Sequence, residues 1–134
     1  MTLRSTRLAL LFVASTVSSL AGHHALTDTY DTTTTVALTG VILKVEVKNP
    51  HATLELQSRD ARGGIITWVI ELAPPAALQR RGVTLEVGQQ VVVESWLRKD
   101  GGFEATGRTI VTADQQRIDV ADAMNWGPSM PARR

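Results

Sequence analysis

Three histidines and no cysteine carry whatever transition-metal chemistry is open to this chain of 134 residues. His23 and His24 are adjacent, and His51 stands alone in Asn49-Pro50-His51. Imidazole nitrogen suits copper, nickel and zinc alike. A free amine, two backbone amides and the imidazole of a third residue can give four nitrogens in one plane. Square-planar nitrogen donation selects Cu(II) or Ni(II). A chain beginning Gly22-His23-His24 offers that set, with His24 as the third residue. A chain beginning at His23 offers its amine and ring as a chelate, and a second histidine completes a T-shaped copper site. The plain alternative is a solvated histidine pair with no metal role. His51 likewise has two readings: a third imidazole meeting the terminal pair, or a half-exposed turn residue beside an Asn49 that bonds local backbone.

Both metal geometries need a new N-terminus, and the first residues supply the means. Arg4 and Arg7 form a positive start, and Leu8 to Leu20 is a mostly apolar run of 13 residues. Ser19 and Ala21 place small residues at −3 and −1 of a cut after Ala21. A cut after Gly22 puts bulky Leu20 at −3 and is less favoured. The run is too short to span a membrane: at ~1.5 Å per residue it falls well below the ~30 Å hydrocarbon core. A cleaved signal over residues 1–21 and a periplasmic or secreted bacterial protein are therefore expected, with no membrane span after cleavage.

Cleavage changes the charge. The whole chain carries +1, from 14 basic and 13 acidic residues. Loss of Arg4 and Arg7 leaves the 13 acidic residues in excess by one. Near-neutral, interspersed charge lacks the electrostatic footprint of a general nucleic-acid binder. The absence of cysteine excludes disulfides, iron–sulfur clusters and thiolate zinc sites, so stability must come from one hydrophobic core.

Organised catalysis has little to work with. No Gly-x-Ser-x-Gly elbow, phosphate loop or dinucleotide fingerprint is present. Glu46, Glu55, Glu71 and Glu94 could pair as carboxylates across a barrel, but glutamates on strands are ordinarily a solvated face. Trp96 shares a strand face with Glu94 and Arg98, so Asn49, Trp96 and Arg98 form a candidate ligand face where a base or sugar could stack. Packing at a barrel edge is the plainer role for Trp96, and Trp68 belongs to the core.

The elements that must position these residues are mostly strands. Residues 22–35 are a polar, threonine-rich lead-in, expected to be extended. Val36 to Lys48 alternates, with Val41, Leu43, Val45 and Val47 on the face expected to turn inward. Gly40 suggests a bulge or bend within it. Leu54 and Leu56 alternate with Thr53, Glu55 and Gln57, and Arg59 to Gly64 makes a hairpin loop. Ile65 to Leu72 is apolar on both faces, so both sides are expected to be covered. Pro74 to Gly82 is a short helix, with proline in its first turn and glycine at its end. Gln90 to Arg98 and Phe103 to Thr112 are strands joined by Lys99-Asp100-Gly101-Gly102. Ile118 to Val120 is a short extra strand, and 121–134 is a poorly ordered tail. The order β-β-β-α-β-β predicts an all-β domain with one short helix, a small five-stranded OB-like barrel over 36–120. An incomplete sandwich is the alternative.

Several short motifs stand in one order: His23-His24, Tyr30-Asp31, Leu38-Thr39-Gly40-Val41, Asn49-Pro50-His51, Glu71-Leu72, Arg80-Arg81-Gly82 and Lys99-Asp100-Gly101. With them the chain resembles an uncharacterised family of small exported bacterial proteins, a domain of unknown function, over roughly His23 to Val120. The resemblance implies a secreted OB-like barrel with no assigned activity. Its hallmarks, a His-His pair and Asn-Pro-His, correspond to His23, His24 and Asn49-Pro50-His51. The family proline before Leu78 corresponds to Pro74 or Pro75. Leu26 stands where the family pattern has an aromatic and Ala52 where it has a bulky residue, so no aromatic cover over the site is carried across. The expected function is a non-catalytic exported module, holding Cu(II) or another divalent metal through His23, His24 and His51. A structural or protein-interaction barrel without a metal is the rival.

Overall fold

The computed structural model describes residues 26–122. The expected signal segment, His23, His24 and the tail from residue 123 lie outside the described residues. Six strands and one labelled helix follow in chain order: β1 Val36–Glu46, β2 Thr53–Arg59, β3 Ile65–Glu71, α1 Pro75–Arg80, β4 Gln90–Leu97, β5 Glu104–Thr112 and β6 Arg117–Asp119. β1 pairs antiparallel with β2 and with β4, β2 with β3, and β4 with β5. A parallel pairing of Val69–Glu71 on β3 with Glu104–Thr106 on β5 closes the circuit. The result is a closed five-stranded barrel of OB-like connectivity, with β6 added along β5. No helix among the described residues is long and apolar enough to cross a membrane.

Burial follows the pleat. Leu54 and Leu56 on β2 are fully buried, as are Ile70 on β3, Val93 on β4 and Ile110 on β5. Each lies two residues from its inward neighbours, the period that sends alternate side chains to one face. α1 begins with Pro75 in its first turn, where a missing N–H costs nothing. Gly82 follows just past its end, with a φ of +65° that suits a residue without Cβ strain. Val83 donates to the Leu78 carbonyl at 3.0 Å across that turn, and Leu78 packs against the core.

β1 departs from the expected facing. Ile42 is fully buried, whereas Val41 and Leu43 are exposed. Pairing with β2 slips between Ile42 and Lys44, so Leu43 is the extra residue of a bulge. Before the bulge Leu38 and Ile42 point inward, and after it Val45 does. Simple alternation through Val41, Leu43 and Val45 is therefore broken, and the bend sits at Leu43 rather than at Gly40. Gly40 serves a different need: a Cβ there would stand 2.2 Å from the Gln57 carbonyl oxygen. Its bare backbone lets β1 cross from β4 to β2 at close range.

Two further expectations are corrected. The lead-in is not an extended strand: residues 26–29 form a helical turn, with the Tyr30 N–H donating to the Leu26 carbonyl at 2.8 Å. Asp31 then accepts the Thr33 N–H at 3.0 Å and its hydroxyl at 2.6 Å, a side-chain turn that competes with strand pairing. These bonds hold the Asp31 carboxyl below its usual range. β3 is not covered on both faces either. Ile66, Trp68 and Ile70 turn inward, but Ile65 and Val69 stand exposed. Phe103 meets the edge of Trp68 at 5.4 Å between ring centroids and is itself exposed.

Candidate functional site

His51 is set by what flanks it. β1 ends at Glu46, and the Asn49–Pro50 peptide is cis. Fully buried Ala52 follows; it donates to the Ala73 carbonyl at 3.3 Å and accepts from the Leu72 N–H at 2.8 Å. That pair continues the β2–β3 ladder one step past Thr53 and Glu71, and so carries His51 to the end of the barrel next to Glu71.

The imidazole lies between two carboxylates. Its Nδ1 is 3.2 Å from Glu71 Oε1, and its Nε2 is 3.0 Å from Asp122 Oδ2. Side-chain exposure is 25% for His51, 40% for Glu71 and 13% for Asp122. The ring donates to one carboxylate when neutral and to both when protonated, because an ionised carboxylate only accepts.

Asp122 reaches this point through a strap that follows β6. Val120, fully buried, accepts the Ala73 N–H at 2.8 Å and donates to the Arg108 carbonyl at 3.1 Å. Arg81, just past α1, donates through Nη1 to the carbonyls of Ala121 at 2.8 Å and Asp119 at 3.3 Å. Ala121 and Asp122, the first residues of the expected tail, are therefore held against the barrel. Tyr30, which bridges to Arg98, lies within reach of the same charges. Burial pushes its hydroxyl above the usual range, and the negative charges of Glu71 and Glu104 add to the effect. The lead-in thus passes within the field of the carboxylate that holds His51.

Asp122 is the functional candidate that sequence reasoning missed, and Glu71, named there as one of four strand carboxylates, was not matched to His51. Glu71 carried one signal, a carboxylate ending a mostly apolar strand; its pairing with Thr53, two places from His51, is a matter of register. Asp122 carried none, being 71 residues from His51. Among the described residues, no group of three His, Asp or Glu side chains is arranged to hold a metal ion. The physical reason at His51 is direct. Its two carboxylates contact opposite edges of the ring, so they do not converge on one point.

The other expected site residues fall elsewhere. Asn49 is exposed and lines a groove of about 600 Å³ with Val45, Val47, Leu78 and Leu85. The face of Trp96 carries the Arg108 guanidinium, 4.0 Å from the ring centroid, and its indole N–H donates to the Thr35 hydroxyl at 3.2 Å. Arg108 is the extra residue of a second bulge, opposite Glu94 and Ser95. Arg98 binds the Asp100 carboxylate at 2.6 Å and Glu104 at 2.6 Å, which holds Asp100 at about 2. Asn49 therefore lines a different groove from Arg98, whose recess includes Asp31, Thr34 and Lys99. Of the remaining glutamates, Glu46 pairs with Lys44 and Lys48, Glu55 with Lys44, and Glu94 with Arg117.

No curated protein matches the chain, and no solved structure does. Residues 10–108 match the model of a family of unknown function, DUF6152, and since the match spans more than half of the sequence, the chain belongs to that family.

Proposed function

We propose that this chain is an exported, non-catalytic binding module that holds Cu(II) or a similar divalent ion through His23, His24 and His51. One observation carries the reading: His51 stands partly open at the barrel end with Nδ1 against the Glu71 carboxylate, 3.2 Å away. A carboxylate on the second ring nitrogen is the usual partner of a metal-ligating histidine, because it fixes tautomer and ring orientation. The charge of Glu71 reaches the Tyr30 hydroxyl, which supports the joint use of His51 and the upstream pair. The helical turn puts Leu26 about 6 Å from Tyr30 along its axis, and His24 precedes Leu26 by two residues. Export rests on Arg4, Arg7, the apolar run and Ser19-Leu20-Ala21. The non-catalytic reading rests on the missing nucleophile and phosphate motifs.

Intact mass and metal analysis of the protein from its native compartment test export and cargo together. A mass beginning at Gly22, with one Cu(II) per chain on mainly nitrogen ligands, is expected. A form that keeps residues before Gly22 should bind more weakly, since its amine is displaced. Processed protein that takes up no copper at neutral pH would sink the metal reading. The rival is a structural or protein-interaction barrel. It is favoured by one observation, the exposed apolar set Ile65, Val69 and Phe103 on and beside β3. Replacing these three by serine should then abolish partner association and leave copper uptake alone.

A further inference from the structure

We propose that the open edge of β3 is a self-association surface, on which a second copy of this chain pairs its own β3 antiparallel across a two-fold axis. This surface lies at the other end of β3 from His51 and owes nothing to a metal. Its basis is that β3 outruns its neighbour. β3 runs from Ile65 to Glu71, but β5 pairs with it only over Val69–Glu71. The Val69 N–H donates to the Phe103 carbonyl at 3.0 Å, which fixes the side of the strand that faces β5. Backbone groups of successive residues point to opposite sides of a strand. The N–H and C=O of Ile65 and Thr67 therefore point the same way as those of Val69, past the start of β5. Ile66 and Trp68 turn theirs to β2. Ile65 and Thr67 are both exposed, Ile65 to 63%.

Edges of this kind are ordinarily blunted by a charge, a proline, a bulge or a cover. The edge of β6 is blunted: the Arg81 guanidinium takes the carbonyls of Asp119 and Ala121. Ile65 to Ile70 contains no charge, proline or glycine, a composition that favours strand pairing. The edge is also complementary to itself. With Ile66 on the axis, Ile65 stands opposite Thr67 of the other copy, and each such pair exchanges both of its backbone bonds. Charge favours a second copy as the occupant. A two-fold axis brings like residues together, so a charged edge would repel its own copy, and this edge is neutral. The fit ends in the right place as well. Continued, that register sets Gly63 of the other copy against Val69, where β5 begins. By then the other chain has turned into its hairpin, closed by the Asp60 N–H on the Gly64 carbonyl at 2.9 Å. Gly63 and Gly64 carry no side chain to strike Phe103. Such a contact uses up both edges, so association stops at the dimer. A stable interface buries about 800 Å² per partner. So short a run of pairs falls below that, and the dimer forms only at high protein concentration.

The test is sedimentation velocity and amide hydrogen exchange on the processed protein, with a chelator present so that no metal bridges two copies. A monomer–dimer equilibrium with a dissociation constant of about 10 µM to about 1 mM is expected of so small a contact. The Ile65 and Thr67 amides should exchange rapidly when dilute and become protected as concentration rises. Those of Ile66 and Trp68, bonded to β2, should be protected throughout. Thr67→Pro removes half of the bonds across the axis, and its missing N–H faces the open edge, where a strand tolerates proline. It should weaken the dimer at least about tenfold. Ile65→Lys puts a charge on the edge and should do the same, so the result does not hang on one variant folding. Val87→Lys, at a comparably exposed aliphatic in the turn before β4, should leave the dimer unchanged. A protein that stays monomeric over the whole range overturns self-association. A dimer indifferent to both edge variants overturns it equally. Protection of Ile65 and Thr67 at every dilution does so too, because the edge would then be covered by another segment of the same chain. None of these outcomes bears on copper uptake.

Discussion

The barrel wall and the clasp at its end are built on opposite principles. The wall is apolar: Ile42, Leu54, Leu56, Ile70, Val93 and Ile110 are fully buried and come from five strands. The clasp is charged and half-wet: His51 between Glu71 and Asp122, with Arg81 gripping the strap. Burying one large aliphatic side chain contributes about 1.5–3 kcal/mol. A partly exposed ion pair contributes about 0–1 kcal/mol. Stability therefore resides in the wall, and the clasp can rearrange around a ligand at little cost to the fold.

The largest expected effect is in the wall. Leu54→Ala should lower unfolding free energy by about 2–5 kcal/mol, as large-to-small core changes do, read from the denaturant midpoint. A midpoint that stays in place would erase the distinction. Gly40→Ala comes next. Its Cβ would press on the Gln57 carbonyl at 2.2 Å, and backbone cannot swing aside as a side chain can. Overpacking of this kind costs about 1–3 kcal/mol, so the same measurement should show a clear but smaller loss.

His51→Gln probes the clasp, and should change stability by only about 1 kcal/mol or less in metal-free protein. A loss as large as that of Leu54→Ala would make the clasp a main support of the fold. The smallest effect is expected at the surface turn of Arg98 and Asp100. The Arg98 guanidinium and the Gly102 N–H hold the Asp100 carboxyl at about 2, below the usual 3.8. The unfolded chain therefore binds the proton first as pH falls. The contribution is present above pH 3.8 and is lost as pH drops toward 2. Asp100→Asn should flatten that part of the acid limb, measured as thermal midpoint against pH, and leave the midpoint's slope near neutral pH untouched.

Legibility divides along the same line as the wall and the clasp. Leu54 and Leu56 were readable because apolar and polar residues strictly alternate around them. Pro75 and Gly82 bracketed α1, and Arg59 to Gly64 marked its hairpin, because each local conformation needs its own residue types. β1 was readable as a strand but not in its facing. Val41, Ile42 and Leu43 are consecutive aliphatics, so either face satisfies the pattern, and only pairing with two neighbours at once selects Ile42. Ile65 and Val69 misled for a related reason, since an apolar residue on a strand does not require a cover. At the site, His51 was visible as a histidine type in a turn, but its partners were not.

The sequence by itself determined which segments are strands, where the helix starts and stops, and that one apolar core must hold the domain without disulfides. Those properties rest on repeats a few residues long, so each short window contains its own signal. Tertiary structure alone decided the bulge at Leu43, the crossing at Gly40 and the meeting of His51 with Glu71 and Asp122. The last is a contact between residues 20 and 71 positions apart. Its geometry exists only once β3 pairs with β5, the barrel closes, and Arg81 holds the carbonyls of Asp119 and Ala121.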